Sequence, residues 1–273
     1  MESKSLVFTP LRISTLVTTG HFGTTLHIQK IFDQFAERCI PIGYPDEGFL
    51  KIEYREKAIG FSSRDVLSKR KVSKNSFFNQ TTIVVRKLRE DTICHFKEVN
   101  IKLFANGGFQ MTGVTSEEYS KNTLNWLIEQ FKSFSIPISD KPLKMDKFSV
   151  QLLNSDYKVN ALVRRDELHK ILANNYKLFS TLETTIYQGI NTKYYYNEKS
   201  KVKNGICMCD KICNGQGDGK AEGSCKRITI AIFQTGSIII TGARNINQLD
   251  EAYEFINKIM KAHSTEVLKA IVA

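Results

Sequence analysis

The densest group of chemically capable side chains in the sequence is Cys207-Met-Cys-Asp-Lys-Ile-Cys213, with Cys225 after eleven intervening residues. Four thiols suffice for a tetrahedral Zn²⁺ site, and a loop too small to build its own core is commonly held by one. The opening Cys-x-Cys is tighter than the two to four intervening residues usual in structural zinc sites. Free or redox-active thiols, and disulfides, therefore stand beside zinc as readings of Cys207, Cys209, Cys213 and Cys225. If zinc is present its role is structural, because four thiolates leave no open coordination position. The neighbouring Gly215-Gln-Gly-Asp-Gly219 lacks the Gly-Lys-Ser/Thr of a phosphate-binding loop and reads as a flexible turn. The five histidines, His21, His27, His95, His169 and His263, are scattered. No Ser/His/Asp or paired-carboxylate arrangement accompanies them, so no enzyme is expected.

The other chemistry is carried by rings and cations on strands. Phe104-Ala-Asn-Gly-Gly-Phe-Gln-Met-Thr-Gly113 and Phe233-Gln-Thr-Gly-Ser-Ile-Ile-Ile-Thr-Gly242 share Phe, Gly and Thr-Gly at one constant offset (233 − 104 = 242 − 113 = 129). The chain thus reads as two copies of one unit, each with a strand, a Gly-bearing turn and a returning strand. Strand side chains alternate faces at period two. Val99, Ile101 and Leu103 fall opposite Asn100, Lys102 and Phe104. Ile228, Ile230 and Ile232 fall opposite Arg227, Thr229, Ala231 and Phe233. Leu50, Ile52 and Tyr54 fall opposite Phe49, Lys51, Glu53 and Arg55. Three phenylalanines therefore stand on a polar, mostly basic face. Either a flap or partner covers them, or the face stays open, grips a large anionic ligand through its cations and inserts aromatic wedges into it.

The chain's 273 residues, 41% of them hydrophobic, can form one substantial core or two small linked ones. The formal charge of +11 favours nucleic acid or an acidic membrane surface as partner. No run of eighteen apolar residues exists and the N-terminus lacks a signal-peptide pattern, so a soluble, intracellular protein is expected, with no membrane. Residues 1–10 read as an N-terminal tail. A strand is expected over Leu11 to Val17 and a helix over Leu26 to Arg38. A turn at Gly43 to Gly48 leads to the strand from Phe49. Residues 59 to 80, with the basic run Ser68 to Lys74, read as a loop, and Thr81–Leu88 and Ile93–Phe96 as a strand pair. Thr115-Ser-Glu-Glu118 has capping-box spacing and opens a helix to about Phe131. Pro137 and Pro142 bracket the junction. The second copy repeats the plan: a strand over Phe148–Leu153, a helix over Arg165–Leu172, a strand to Tyr196, the Cys/Gly-rich segment, the hairpin, and a helix from Asn247. Helices segregated to one face of an antiparallel sheet make an α+β architecture.

These residues resemble the TATA-box-binding protein (TBP) family, from Leu11 to about His263. The resemblance implies two tandem repeats, over 11–138 (insertion about 59–92) and 139–273 (insertion about 197–226), forming a curved antiparallel saddle with helices on its convex face. It implies insertions between the third and fourth strands of both repeats. Carried over singly, Phe104 and Phe233 fall on wedge phenylalanines. Tyr44-Pro-Asp-Glu-Gly-Phe49 matches the first stirrup and makes Phe49 a wedge, and Glu183-Thr-Thr-Ile-Tyr-Gln-Gly-Ile190 matches the second, with Tyr187 where the family has Phe. Arg55 and Lys193, six residues beyond, take the phosphate-contacting place, with Lys51 and Lys102 as further cations on the same face. Thr112 and Thr241 fall on the paired central threonines, and Val17 and Ile239 on the groove floor. The sequence departs from the family at Thr15 and Leu152, where the family has Asn, and at Gln110 and Asn154, which replace valines. Those losses imply relaxed TATA preference, since minor-groove readout is already degenerate.

The resemblance implies a non-enzymatic transcription initiation factor of the kind found in large DNA viruses of eukaryotes. It would bind and bend double-stranded promoter DNA and present it to a TFIIB-like factor, through Glu183 and Ile186, and to RNA polymerase. It would act in the nucleus, or in a viral factory or virion, with a homodimer as the DNA-free form. Two other readings stand beside it: an interaction adaptor that keeps the fold without DNA binding, and a nucleic-acid-processing enzyme.

Overall fold

The computed structural model describes residues 6–35, 37–68, 78–89 and 95–270. The chain divides into two compact units, one of Thr15–Gln151 and the other of Met1–Ser14 with Leu152–Ala273.

The first unit takes its elements in the order β1 (Arg12–His21), α1 (Ile28–Phe35), β2 (Gly48–Tyr54), β3 (Lys57–Gly60), α2 (Ser63–Ser68), β4 (Gln80–Leu88), β5 (Phe96–Phe104), β6 (Gly108–Val114) and α3 (Glu117–Lys132). Its antiparallel sheet runs β3-β2-β4-β5-β6-β1. Period-two alternation sends Leu16, Ile83, Val85, Val99, Ile101, Leu103, Phe109 and Met111 to one face. The apolar stripes of α1 (Ile28, Ile31, Phe32, Phe35) and α3 (Leu124, Leu127, Ile128, Phe131) are buried with them. Each such side chain contributes about 1.5–3 kcal/mol on leaving water, so this layer, rather than helix propensity, holds the unit together. Ser116, one residue after Thr115, caps α3 by accepting from Tyr119 N–H.

The second unit follows with β7 (Asp146–Lys158), β8 (Ala161–Val163), α4 (Arg165–Lys170), β9 (Ser180–Glu183), β10 (Tyr187–Tyr196), β11 (Lys226–Ile232), β12 (Ser237–Ala243), α5 (Ile246–Ala262), α6 (Ser264–Val267) and β13 (Leu268–Ala270). A π-helical turn over Ile171–Asn175 extends α4. Its main sheet runs β7-β12-β11-β10-β9, with β13 and β8 paired apart. The 129-residue offset reappears in the geometry. Lys102 opposes Gln110 as Ala231 opposes Ile239, and Ser116 and Asn245 cap their helices alike. Gly107 and Gly236 both turn at positive φ, 90° and 80°. A Cβ at Gly107 would sit 1.8 Å from the Thr24 carbonyl oxygen, and one at Gly236 2.5 Å from those of Ala161 and Val159. No side chain fits either turn, which accounts for the glycine of the duplicated signature.

Three expectations are corrected. The expected tail at residues 1–10 is, from residue 6, bound to the second unit: Thr9 N–H donates to Lys158 and Val7 N–H to Asn160 Oδ1. The first copy's insertion lies mainly between β2 and β4, whereas the second copy's lies between β10 and β11, whose register counterparts are β4 and β5. The first insertion contains β3 and α2, while its basic run beyond Ser68 lies outside the described residues, as does Ile93 of the expected strand pair. Among the described residues no helix is long and apolar enough to cross a membrane.

Candidate nucleic-acid interface

In the second unit the sheet face opposite α5 carries Leu152 and Asn154 from β7, Ile239 and Thr241 from β12, Arg227 and Thr229 from β11, and Asn191 and Lys193 from β10, by the alternation of buried and half-buried positions. At its outer end Tyr187 and Phe233 stand edge to face, ring centroids 5.6 Å apart at 64°. Both rings lean over Gly189, where a Cβ would lie 3.0–3.2 Å from their edges. Tyr187 remains 41% exposed. Lys193 donates to Thr229 Oγ1 at 2.9 Å. Burial first, and then the nearby Arg227 guanidinium, press the Lys193 ammonium below its usual range. Two cations crowded on one face are relieved by an anion. Asn154 Oδ1 and Asn191 Oδ1 are buried and have no hydrogen-bond partner among the described residues, which leaves acceptors unused on that face. Asp156, also on it, is paired with Arg12 at 2.8 Å. At the end of β9 Glu183 is exposed, and in the turn before β10 Ile186 is 81% exposed.

The first unit builds the corresponding face differently. Val17 pairs with Thr112 as Asn154 pairs with Thr241, and Thr15 Oγ1 accepts from Gly113 N–H at 3.3 Å. Lys102, Phe104, Gln110 and Thr112 are half-buried there. Phe49 is not on this face. The register of β2 against β4 shifts between Phe49 and Lys51, so a bulge turns Phe49 inward with Leu50. It is 3% exposed, against Phe35 at 4.4 Å and Trp126 at 5.2 Å, and cannot serve as a wedge. Lys51 is on the expected face but 7% exposed, ion-paired to Glu53 at 2.5 Å and Asp65 at 2.7 Å. Burial alone would lower it, yet the two carboxylates raise it above its ordinary value, so its charge is already satisfied. Ser63, by its N–H and hydroxyl, donates to Glu98 at 2.9 and 2.6 Å. The start of α2 thus bridges β2 and β5 and roofs Val84 on the strand between them, which is the flap reading realised over part of the face.

The register supplies the residue missed in the sequence. Ile190 opposes Ile232, so Gly189 is opposite Phe233 and Tyr187 lies two residues further out. In the first unit Gln80 opposes Phe104, and the residue two further out is Phe78. Phe78 is 76% exposed, with the Arg55 guanidinium 5.5 Å from its ring centroid. Arg55 sits in the β2–β3 turn at φ 54° and also covers Tyr54. Among the described residues Phe104 makes no ring contact like that of Phe233.

A family model described as "Transcription factor TFIID (or TATA-binding protein, TBP)" matches residues 223–263, the segment that holds β11, β12 and α5. The TATA-box-binding protein-like protein of Acanthamoeba polyphaga mimivirus is 29% identical to the chain over 94% of its length. The chain is thus similar to a viral TBP-like protein. It spans 66% of that relative's own length. The solved structure of Methanococcus jannaschii TBP aligns over 93% of this chain and 97% of its own at 14% identity, with a TM-score of 0.48, a likeness too distant to argue from. The fold rests instead on the duplicated register and the helices gathered on one face of each sheet.

The register places Phe78, just before the strand that precedes the Phe104-ended strand, where Tyr187 stands in the second copy. The signal was present: the aromatic just before the expected strand Thr81–Leu88 is Phe78, whereas Tyr44-to-Phe49 imitates the stirrup spacing one strand too early. Arg55 and Lys193, aligned from unlike wedges, consequently do not occupy equivalent places; Val84 stands where Lys193 does.

Proposed function

We propose that this TBP-like protein binds promoter DNA through the minor groove and bends it. Phosphates meet Lys193, Arg227, Arg55 and Lys102, and Tyr187, Phe233, Phe78 and Phe104 enter base steps, a mode of which the TBP family is itself the standing example. The observation that carries the reading is the ring pair of exposed Tyr187 and half-buried Phe233 over Gly189, with Phe78 at the same register place in the other copy. A ring pair left partly in water at the outer end of the face that carries those cations matches a stacked, anionic ligand.

In this reading Thr112 with Val17 in one unit, and Thr241 with Ile239 in the other, meet the groove floor. Asn154 and Asn191, with buried acceptors unused, would on turning outward take a hydrogen bond from the guanine amino group, the one donor that distinguishes G·C in the minor groove. That supports a preference weaker for TATA than the family's. Exposed Glu183 and Ile186 are the contact offered to a TFIIB-like factor, and through it to RNA polymerase, in the nucleus or a viral factory.

Gel-shift titration across salt, with fluorescence-transfer bending on an A/T-rich and a G/C-containing duplex, tests this. Wild type should bind with a salt slope of several phosphates and bend the duplex, and Tyr187→Ala with Phe233→Ala should lose the bend. Tight binding with an undiminished bend in that variant would overturn the reading, as would no binding by wild type at low salt, the behaviour of an adaptor.

A further inference from the structure

The geometry points to a structural zinc ion held by Cys207, Cys209, Cys213 and Cys225. Their four sulfurs all lie within 4.8 Å of one another. The separations are 3.3 Å for Cys207–Cys213, 3.5 Å for Cys209–Cys225, 3.7 Å for Cys225–Cys207 and 3.9 Å for Cys213–Cys209. A tetrahedron with Zn–S bonds of about 2.3 Å has sulfur–sulfur edges of about 3.8 Å. These four separations lie near that length and are far from the roughly 2.05 Å of a disulfide. The short Cys-x-Cys does not prevent convergence, because Cys225 closes the site from the strand side, at the residue just before β11.

The surroundings suit thiolates. Gly223 N–H points at Cys209 Sγ at 3.3 Å, and Asn197 Nδ2 lies 3.5 Å from Cys225 Sγ and 3.9 Å from Cys209 Sγ. The backbone N–H groups of Cys209 and Cys213 bond to the Cys207 sulfur. Such donors spread the charge of a tetrathiolate dianion and orient its ligands. The segment 197–226 carries six lysines against four carboxylates, a small positive excess beside that charge. Binding replaces each thiol proton by a Zn–S bond, the protons passing to solvent, with no change of oxidation state. With four sulfurs bound, no position remains for water or substrate, so the ion is a clamp.

What it clamps is the connection between β10 and β11. Gly205, Gly215 and Gly219 lie against Tyr194, Arg227 and Tyr196, too close for any side chain. Gln248 of α5 donates to the Asp218 carbonyl at 2.9 Å, and Lys203 pairs with Glu251 at 3.1 Å. A segment of this size with so little buried carbon would not hold these contacts unaided.

Metal analysis of the full chain, purified under reducing conditions without chelator, should find one zinc per chain. Cobalt substitution should give the intense visible bands of a tetrahedral thiolate site, and chelation should free four thiols and raise amide exchange within 197–226 first. Cys209→Ser and Cys213→Ser should lose the metal, and Cys39→Ser should keep it. A metal-free wild-type chain with four reactive thiols, or with two disulfides by mass spectrometry, would overturn the proposal. So would zinc retained by Cys209→Ser or lost from Cys39→Ser. Because the wild-type stoichiometry and cobalt spectrum decide first, a variant that fails to fold does not rescue it.

Discussion

The two outer ends of the sheet faces, Tyr187 with Phe233 and Phe78 with Phe104, share a register and differ in what lies between the rings. Gly189 separates the first pair and lets the rings meet at 5.6 Å, whereas Gln80 occupies that place in the other. The second unit also leaves its face open, while the first covers part of its own with Ser62, Ser63 and Asp65. One duplicated framework has therefore kept its hairpin geometry and changed what the face offers: a preformed ring pair on one side, a cation-backed single ring and a roof on the other.

The comparison breaks most sharply at Phe49. If it is core, Phe49→Ala should cost about 3–5 kcal/mol of stability, read as a shifted denaturation midpoint with an unchanged slope. Unaltered stability with weaker DNA binding would restore it as a wedge. Next, Tyr187→Ala with Phe233→Ala should lower affinity by about 1–3 kcal/mol per ring without moving Tm, since both rings are already partly in water. Phe78→Ala should lose about 1 kcal/mol of binding with Tm unchanged, and Gln80→Gly should return part of the difference between the copies by letting Phe78 and Phe104 close together. Binding unaffected by Phe78→Ala would leave the first unit without a wedge at that place.

The smallest effect concerns the roof. Burial would raise the Asp65 carboxyl, but Lys51 and Ser62 hold it below its ordinary value of 3.8. A depressed folded value means the stability it contributes is whole above about pH 4 and drains as pH falls through that lower value. Asp65→Asn should loosen α2 by about 1 kcal/mol, and with Glu53→Gln beside it should release Lys51, steepening the salt dependence of DNA binding by about 0.9 per added phosphate contact. Amide exchange at 62–68, followed against pH, checks the first part. Exchange there that is indifferent to both pH and the substitution would separate the roof from this ion pair.

Much of the fold was legible because period-two alternation and the Phe-to-Thr-Gly signature are local and strongly patterned. The strand at Tyr187–Tyr196 and the helices carrying Leu124–Phe131 and Leu249–Met260 stand as expected. Phe49 was misread because a bulge is a defect of pairing, invisible in one strand's own alternation. Lys51 was misread because its neutralising partner Asp65 is 14 residues away, across a turn and a short strand. Phe78 was hidden by a stirrup whose length no longer matches its counterpart. The four cysteines showed their identity in the sequence, but only the folded loop shows that Cys225 faces the other three.

The stitching of residues 6–14 onto the second unit bears on how the chain is made. Thr9 and Lys158 exchange hydrogen bonds, Arg12 reaches Asp156, and Tyr253 donates to the Thr9 carbonyl across 244 residues of chain. Residues 6–14 must therefore wait for these partners until Tyr253 leaves the ribosome, about ten seconds or more at the usual pace of synthesis. A fragment starting at residue 139 would emerge with that edge bare, and a short peptide of the missing segment, added in trans, should complement it.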